Sequence, residues 1–210
     1  MNEPPLPAWL DPEREVERGA VLSDCGRYRY LLTRRWSAGP LAPFILLNPS
    51  TADGTEDDAT IRRCMGFAER WGFAGIRVGN VFAYRDTNPD ILANLADPIG
   101  VENPKWIVHL VKLAREEGCL LPIVCGWGPK GGARDGHARM VRTLRAIGAQ
   151  MACLGTTRDG YPCHPLYLRS DLTPQPYDGE TRVYRKPVST ARIFSLMDHA
   201  GIARPPSTQA

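Results

Sequence analysis

Residues 43–50 have the sequence Pro-Phe-Ile-Leu-Leu-Asn-Pro-Ser, in which a continuous apolar run ends abruptly in an asparagine and a proline. An apolar run of this length without alternation is typical of a strand that is buried on both faces. Such strands belong to parallel sheets, because helical crossovers cover both faces of the sheet. The stretch therefore predicts the first strand of a parallel α/β core.

Similar apolar runs recur along the chain, and helical patterns separate them. The further predicted strands are 75–82, 119–125 and 151–154, and the predicted helices are 60–71, 89–95, 104–117 and 133–147. Alternation of this kind implies right-handed crossovers between parallel strands. We expect a three-layer α/β/α fold with a short, mainly parallel four-stranded central sheet, preceded by an N-terminal β-hairpin over 20–36.

The length and composition fit one ordinary globular domain. The chain has 210 residues, of which 43% are hydrophobic and 23% are charged, as in average globular proteins. We expect an N-terminal arm over 1–18 and a single α/β domain over 19–173. A proline-rich segment, a C-terminal helix (190–200) and a tail are expected over 174–210.

Charge and cysteine spacing narrow the functional classes. The formal net charge of +3 is mild, so it permits a nucleic-acid partner without arguing for one. The six cysteines contain no Cys-x-x-Cys pair, and we expect neither a metal nor a cofactor. The first residues do not resemble a secretory signal, and no apolar run is long enough to span a membrane. A cytoplasmic protein without a membrane partner is expected, and no oligomeric state is predicted.

Polar and aromatic residues follow each predicted strand. They are found at 48–53, 80–84, 126–130 and 156–165. In an open parallel sheet, ligands bind beyond the carboxyl ends of the strands. The chain has no Gly-Lys-Ser/Thr loop, which argues against a P-loop site.

Five motifs between Tyr28 and Tyr167 are specific when taken together. They are Leu-Asn-Pro-Ser-Thr-Ala-Asp (47–53), Asp-Asp-Ala-Thr-Ile-Arg-Arg-Cys (57–64), Gly-Asn-Val-Phe-Ala-Tyr-Arg (79–85), Trp-Gly (127–128) and His-Pro-Leu-Tyr (164–167). In these motifs the chain resembles the DUF1643 family, an uncharacterised family of bacterial and phage proteins. That resemblance implies no function by itself.

The order of the strand-end motifs is also similar to that of the uracil-DNA glycosylase superfamily. The resemblance implies that Asn48-Pro49 activates water, that Asn80 binds the base edge, that Trp127-Gly128 ends the third strand, and that His164-Pro165 forms the last motif. Leu166-Tyr167 replaces the superfamily's usual Ser-Pro. The fold and the glycosylase activity are expectations from this resemblance.

Cleavage of a base–sugar bond develops negative charge on the leaving base. An asparagine carbonyl is able to position a water, and a neutral or cationic histidine is able to donate to the leaving oxygen. The candidate catalytic residues are Asn48, His164, Asp57 and Asp58. The candidate substrate contacts are Pro49, Ser50, Thr51, Asp53, Asn80, Phe82, Tyr84, Trp127, Gly128 and Pro165, with Phe82, Tyr84 or Trp127 stacking on a flipped base. The candidate phosphate contacts are Arg62, Arg63 and Arg158, with Arg139 and Arg142 on a later helix.

Structural roles compete with these assignments. Asp57 and Asp58 are suited to cap the helix that follows, Asn80 to pair inside the core, and Trp127 to pack.

Three hypotheses about function stay open. The first is a nucleobase-recognising, glycosylase-like enzyme acting on DNA or a nucleotide. The second is a non-catalytic nucleic-acid or nucleotide-binding module, and the third is a small-molecule hydrolase or transferase using Asp57 or Asp58 with His164.

Overall fold

A computed structural model describes residues 15–181 of the chain. The predicted C-terminal helix (190–200) and most of the predicted N-terminal arm therefore lie outside the described residues. Residues 17 and 18, expected in that arm, belong to the first strand. Within residues 15–181, no helix has both the length and the apolar character that crossing a membrane requires.

Seven strands and three α-helices form the described structure. The strands are β1 (Glu17–Leu22), β2 (Arg29–Arg35), β3 (Ala42–Leu46), β4 (Gly75–Asn80), β5 (Ile123–Gly126), β6 (Met151–Cys153) and β7 (Gln175–Pro176). The helices are α1 (Ala59–Arg70), α2 (Asn103–Glu116) and α3 (Gly136–Ala146). Three short 3₁₀ helices lie at Pro89–Ala93, Pro129–Asp135 and Pro165–Tyr167.

The strands form one mixed sheet in the order β1-β2-β4-β3-β5-β6-β7. The four strands predicted from apolar runs, β4, β3, β5 and β6, are mutually parallel. The expectation of a four-stranded sheet was wrong, because β2 of the hairpin pairs antiparallel with β4 and β7 pairs antiparallel with β6. Both additions cover edges of the parallel block that would otherwise expose unpaired backbone groups.

Helices cover both faces of the sheet, so the fold is α/β in three layers. Alternate side chains of β3 point to opposite faces, as strand geometry requires. Phe44 and Leu46 belong to a buried cluster with residues of α1 such as Met65. Ile45 belongs to a second cluster with residues of α2 and α3, among them Leu110 and Leu144.

The strand order places a crevice between β3 and β5. The chain leaves β3 through α1 to reach β4 on one side, and later enters β5 on the other side of β3. The connections that leave β3 and β5 run over opposite faces of the sheet, since α1 and α3 belong to different clusters. At such a switch point the carboxyl ends of the two strands diverge and leave room for a ligand.

Candidate functional site

A cavity of about 750 Å³ opens at this switch point. Its walls come from the residues after β3, the first turn of α1, the residues after β5 and the segment around the last 3₁₀ helix. The polar and aromatic lining residues include Asn48, Ser50, Asp58, Thr60, Asp86, Trp127, Lys130, His164 and Tyr167. The structure thus brings Asn48 and His164, remote in sequence, to one cavity.

The amide of Asn48 is oriented by two backbone carbonyls. Its Nδ2 donates to the carbonyl oxygens of Asp86 at 2.8 Å and Pro49 at 3.1 Å. Since a carbonyl only accepts, the nitrogen must face these two groups and the side-chain oxygen must point elsewhere. Within residues 15–181, Oδ1 of Asn48 has no hydrogen-bond partner, so this oxygen is available as an acceptor.

His164 precedes the last 3₁₀ helix and caps it. The backbone N–H of Leu166 donates to its Nδ1 at 3.4 Å, so the neutral ring carries its proton on Nε2. Burial lowers the pKa of His164, against an opposing effect of the Asp58 carboxylate. Nε2 has no partner among the described residues and is available as a neutral donor. The neighbouring Cys163 also lines the cavity, and burial raises the pKa of its thiol.

The two adjacent aspartates have different surroundings. Asp58 is the N-cap of α1, and its Oδ1 accepts from the backbone N–H of Ile61 at 2.8 Å. Its other oxygen has no partner in the described part of the chain, and Asp58 lines the cavity. Asp57 does not line the cavity. Its Oδ1 accepts from Nε of the fully buried Arg34 at 2.6 Å, which is a structural ion pair.

Two buried arginines of β2 hold the loop between β3 and α1. Nη2 of Arg34 donates to the carbonyl oxygens of Asp53 at 2.6 Å and Glu56 at 3.0 Å. Nη1 of Arg29, which is 2% exposed, donates to the carbonyl oxygen of Ala52 at 2.6 Å. Burial lowers the pKa of Arg29 to about 10, so its guanidinium stays charged at neutral pH. Neither arginine was among the residues proposed from the sequence.

Asn80 lies beneath the loop and outside the cavity lining. The side chain is buried, and its Oδ1 accepts from Nη2 of Arg29 at 3.3 Å. The carbonyl oxygen of Asn80 accepts from Nδ2 of Asn103 at 2.9 Å. In this arrangement Asn80 joins β4 to β2 and to the start of α2, and the structure does not bring it together with Asn48 and His164.

The aromatic candidates are mostly enclosed by protein. Phe82 is fully buried, and Tyr84 packs edge-on against Tyr28 with ring centroids 5.6 Å apart. Trp127 contributes to the cavity wall but is 1% exposed. Its Nε1 donates to Nδ1 of His137 at 3.1 Å.

His137, which was not among the residues proposed from the sequence, is buried in the first turn of α3. Because Nδ1 accepts from Trp127, the proton is on Nε2, which donates to the carbonyl oxygen of Gly179 at 3.0 Å. Burial lowers the pKa of His137. A neutral histidine therefore links the cavity wall to the segment that follows β7.

The remaining candidates divide between lining and supporting positions. Ser50 and Gly128 line the cavity, whereas Pro49, Thr51, Asp53, Pro165 and the three arginines Arg62, Arg63 and Arg158 are not part of its lining. Asp53 accepts from the backbone N–H groups of Thr55 and Glu56, which lowers its pKa to about 2. Arg62 and Arg63 donate to the carbonyl oxygens of Asp57 and Leu168. Arg158 is exposed.

A model of one protein family, described as a protein of unknown function (DUF1643), matches residues 29–166. This range begins at the first buried arginine and includes Asn48, Asp58, Trp127 and His164. No curated protein and no solved structure matches the chain. Because the family model covers more than half of the sequence, the chain belongs to the DUF1643 family.

Proposed function

We propose that the chain binds a nucleobase in the cavity between β3 and β5 and cleaves the bond between that base and its sugar. The proposal is carried by one observation, that a free acceptor on Asn48 and a free donor on His164 share one cavity of ligand size. The fold that this implies is uracil-DNA glycosylase-like, as the order of the strand-end motifs suggests. The base is presented by DNA or by a nucleotide.

The reaction is hydrolysis at the sugar carbon that holds the base. As the carbon–nitrogen bond breaks, its electron pair goes to the base and positive charge develops on the sugar. Oδ1 of Asn48 accepts a hydrogen bond from the attacking water, and the carboxylate of Asp58 stabilises the positive charge and takes the proton of that water. Nε2–H of His164 donates a hydrogen bond that stabilises the negative charge on the departing base, and the proton that Asp58 took from the water then passes to that base. The products are the free base and a sugar hydroxyl.

Recognition of the base is assigned to groups of the cavity wall rather than to Asn80. The burial of Asn80 and its bond to Arg29 leave it no route to the cavity. Ser50 and Thr60 line the cavity, and a hydroxyl is able both to donate and to accept. These two groups are therefore adaptable partners for a base edge.

The proposal is tested by measuring abasic sites in duplex and single-stranded oligonucleotides that carry uracil, mismatched bases and modified bases. Asn48→Ala and His164→Ala are each expected to lower the cleavage rate by about a hundredfold, because each removes one positioned group. Asn94→Ala and His109→Ala are matched controls, since both side chains are exposed and lie outside the cavity. Cleavage that is unchanged in both cavity variants, or absent for every base in the oligonucleotides and in the corresponding free nucleotides, would overturn the proposal.

A hydrolase or transferase acting on another small molecule is the second candidate. The observation in its favour is that Asp58, with one free carboxylate oxygen, and His164 line the same cavity. Turnover of free nucleosides without cleavage of oligonucleotides would support it. Salt-dependent binding of oligonucleotides without any cleavage would instead support a non-catalytic binding module.

A further inference from the structure

Tyr167 is an exposed aromatic residue at the mouth of the cavity. It is 84% exposed, although it ends a short helix that is anchored to the protein. Among the large hydrophobic side chains that are exposed within residues 15–181, it is the one that also lines the cavity. Its hydroxyl has no hydrogen-bond partner in the same range. An uncovered ring beside a cavity is a feature of ligand-binding sites.

The backbone beneath Tyr167 is fixed. Its N–H donates to the carbonyl oxygen of His164 at 3.4 Å, and the N–H of Leu168 donates to that of Pro165 at 3.2 Å. Pro165 packs against Gly126, where an added Cβ would come within 2.8 Å of the proline ring. The ring of Tyr167 is therefore presented from a held position, which reduces the entropy lost when a ligand binds.

The ring stands beside His164 without covering it. The two ring centroids are 6.1 Å apart and the planes are inclined by 47°, which is not a stacked arrangement. Phe82, Tyr84 and Trp127 are occupied by the packing contacts described above. Among the described residues that line the cavity, Tyr167 therefore offers the one accessible aromatic face of this set, and this face adjoins the free donor of His164.

The charges of the wall limit what the cavity accepts. Two carboxylates, Asp58 and Asp86, line it together with Lys130. Nζ of Lys130 already lies 2.7 Å from a carboxylate oxygen of Asp90. A phosphate would meet two negative groups and a cation that has a partner, whereas an uncharged ring avoids this repulsion.

We propose that Tyr167 stacks on an uncharged heterocyclic ring at the mouth of the cavity and thereby selects planar ligands. This inference rests on the proposed function, since it names the residue that holds the base. Tyr167 contributes to binding and takes no part in proton transfer. Any phosphate attached to the ligand remains outside the cavity.

The test uses the full chain and 2-aminopurine riboside, whose fluorescence decreases when the base stacks on an aromatic ring. Tyr167→Phe is expected to bind like the unchanged protein, because it keeps the ring. Tyr167→Leu keeps an apolar side chain but removes the ring, so it is expected to bind about tenfold more weakly and to lose the quenching. Leu120→Ala is the matched control, since Leu120 is 95% exposed and lies outside the cavity lining. 2-Aminopurine riboside 5′-phosphate is not expected to bind more tightly than the riboside, because its phosphate remains outside the cavity.

Three results would overturn the stacking role. They are unchanged affinity and quenching in Tyr167→Leu, equal losses in the Phe and Leu variants, and no binding of the riboside to the unchanged protein. None of them decides the proposed function, because dependence of abasic-site formation on Asn48 and His164 is measured separately on oligonucleotides. If the riboside binds but neither the unchanged protein nor any variant forms abasic sites, the proposed function alone is overturned.

Discussion

The cavity has two walls, and they are held by different kinds of interaction. We call residues 48–58 the arginine-braced wall, because buried guanidinium groups of Arg29 and Arg34 bind its backbone carbonyls. We call the residues that follow β5 and β6 the ring-braced wall, because the neutral rings of Trp127, His137 and Pro165 hold them. Trp127 donates to His137 there, and Pro165 packs on Gly126.

The difference shows how each wall responds to change. A loop whose carbonyls point inward needs buried donors, and an arginine supplies several donors from one side chain while remaining charged. Removing that side chain leaves several acceptors unsatisfied at once. A wall built from neutral rings depends on single hydrogen bonds and on packing, so a substitution there is expected to lower the free energy of unfolding by less. It also contains a histidine, His137, whose pKa is lowered by burial.

The largest expected effect is on the arginine-braced wall. Arg34 donates to four backbone carbonyls and to the Asp57 carboxylate. Arg34→Met removes all of these bonds and leaves a carboxylate without its buried partner. We expect the free energy of unfolding to fall by about 3–5 kcal/mol, as for other broken buried ion pairs. Unfolding in urea, followed by circular dichroism, measures this change.

Arg35→Met is the matched control for this variant. Arg35 neighbours Arg34 in β2, but its side chain is 29% exposed and pairs with Glu117. A partly exposed pair contributes little, so we expect a loss of at most about 1 kcal/mol. Equal losses in the two variants would show that the buried guanidinium does not hold this wall.

A smaller effect is expected at Asp58, where capping and chemistry are separable. Asp58→Ala removes the N-cap of α1 and is expected to cost about 1 kcal/mol of stability. Asp58→Asn keeps a side-chain oxygen that accepts from the backbone N–H of Ile61. The stability of this variant should therefore be close to that of the unchanged protein. Both variants should lose base cleavage. An Asn variant that is as active as the unchanged protein would assign Asp58 to capping alone.

Much of the parallel core was predictable because its strands, although short, consist mainly of apolar residues. The first strand was expected over 43–47 and lies at Ala42–Leu46, and the helix after it was expected over 60–71 and lies at Ala59–Arg70. The added strands were harder to find. β7 has two residues, one of them a proline, and its pairing with β6 depends on tertiary contact rather than on periodicity. The helix expected from residue 133 begins at Gly136, since Arg134 and Asp135 have positive φ angles of 52° and 56°.

The site was predictable only where strand ends alone determine position. Because parallel strands end at one edge of the sheet, Asn48 and His164 were expected to lie close together. Both residues line the same cavity. The rule gave no information on the direction of the Asn80 side chain, which is set by Arg29 from another strand. Burial of Arg29 and Arg34 was not visible either, because alternation in a hairpin does not show that a distant loop covers the polar face.

The smallest expected effect is the pH response of the ring-braced wall. Burial lowers the pKa of His137, so below the unfolded value of about 6.5 the unfolded chain binds more protons than the folded chain. Stability therefore falls as the pH drops below that value, until the pH passes the folded pKa.

His137→Gln removes this titration, yet glutamine still accepts from Trp127 and donates to Gly179. We expect the loss of unfolding free energy between about pH 8 and pH 5 to be reduced in the variant by less than about 1 kcal/mol. His164, whose pKa burial also lowers, and Cys25, whose pKa a hydrogen bond with Ser23 lowers to about 7, contribute to the dependence that remains. Asp53 titrates near pH 2 and lies outside this window. Identical pH dependence in the two proteins would show that protonation of His137 has no effect on this wall.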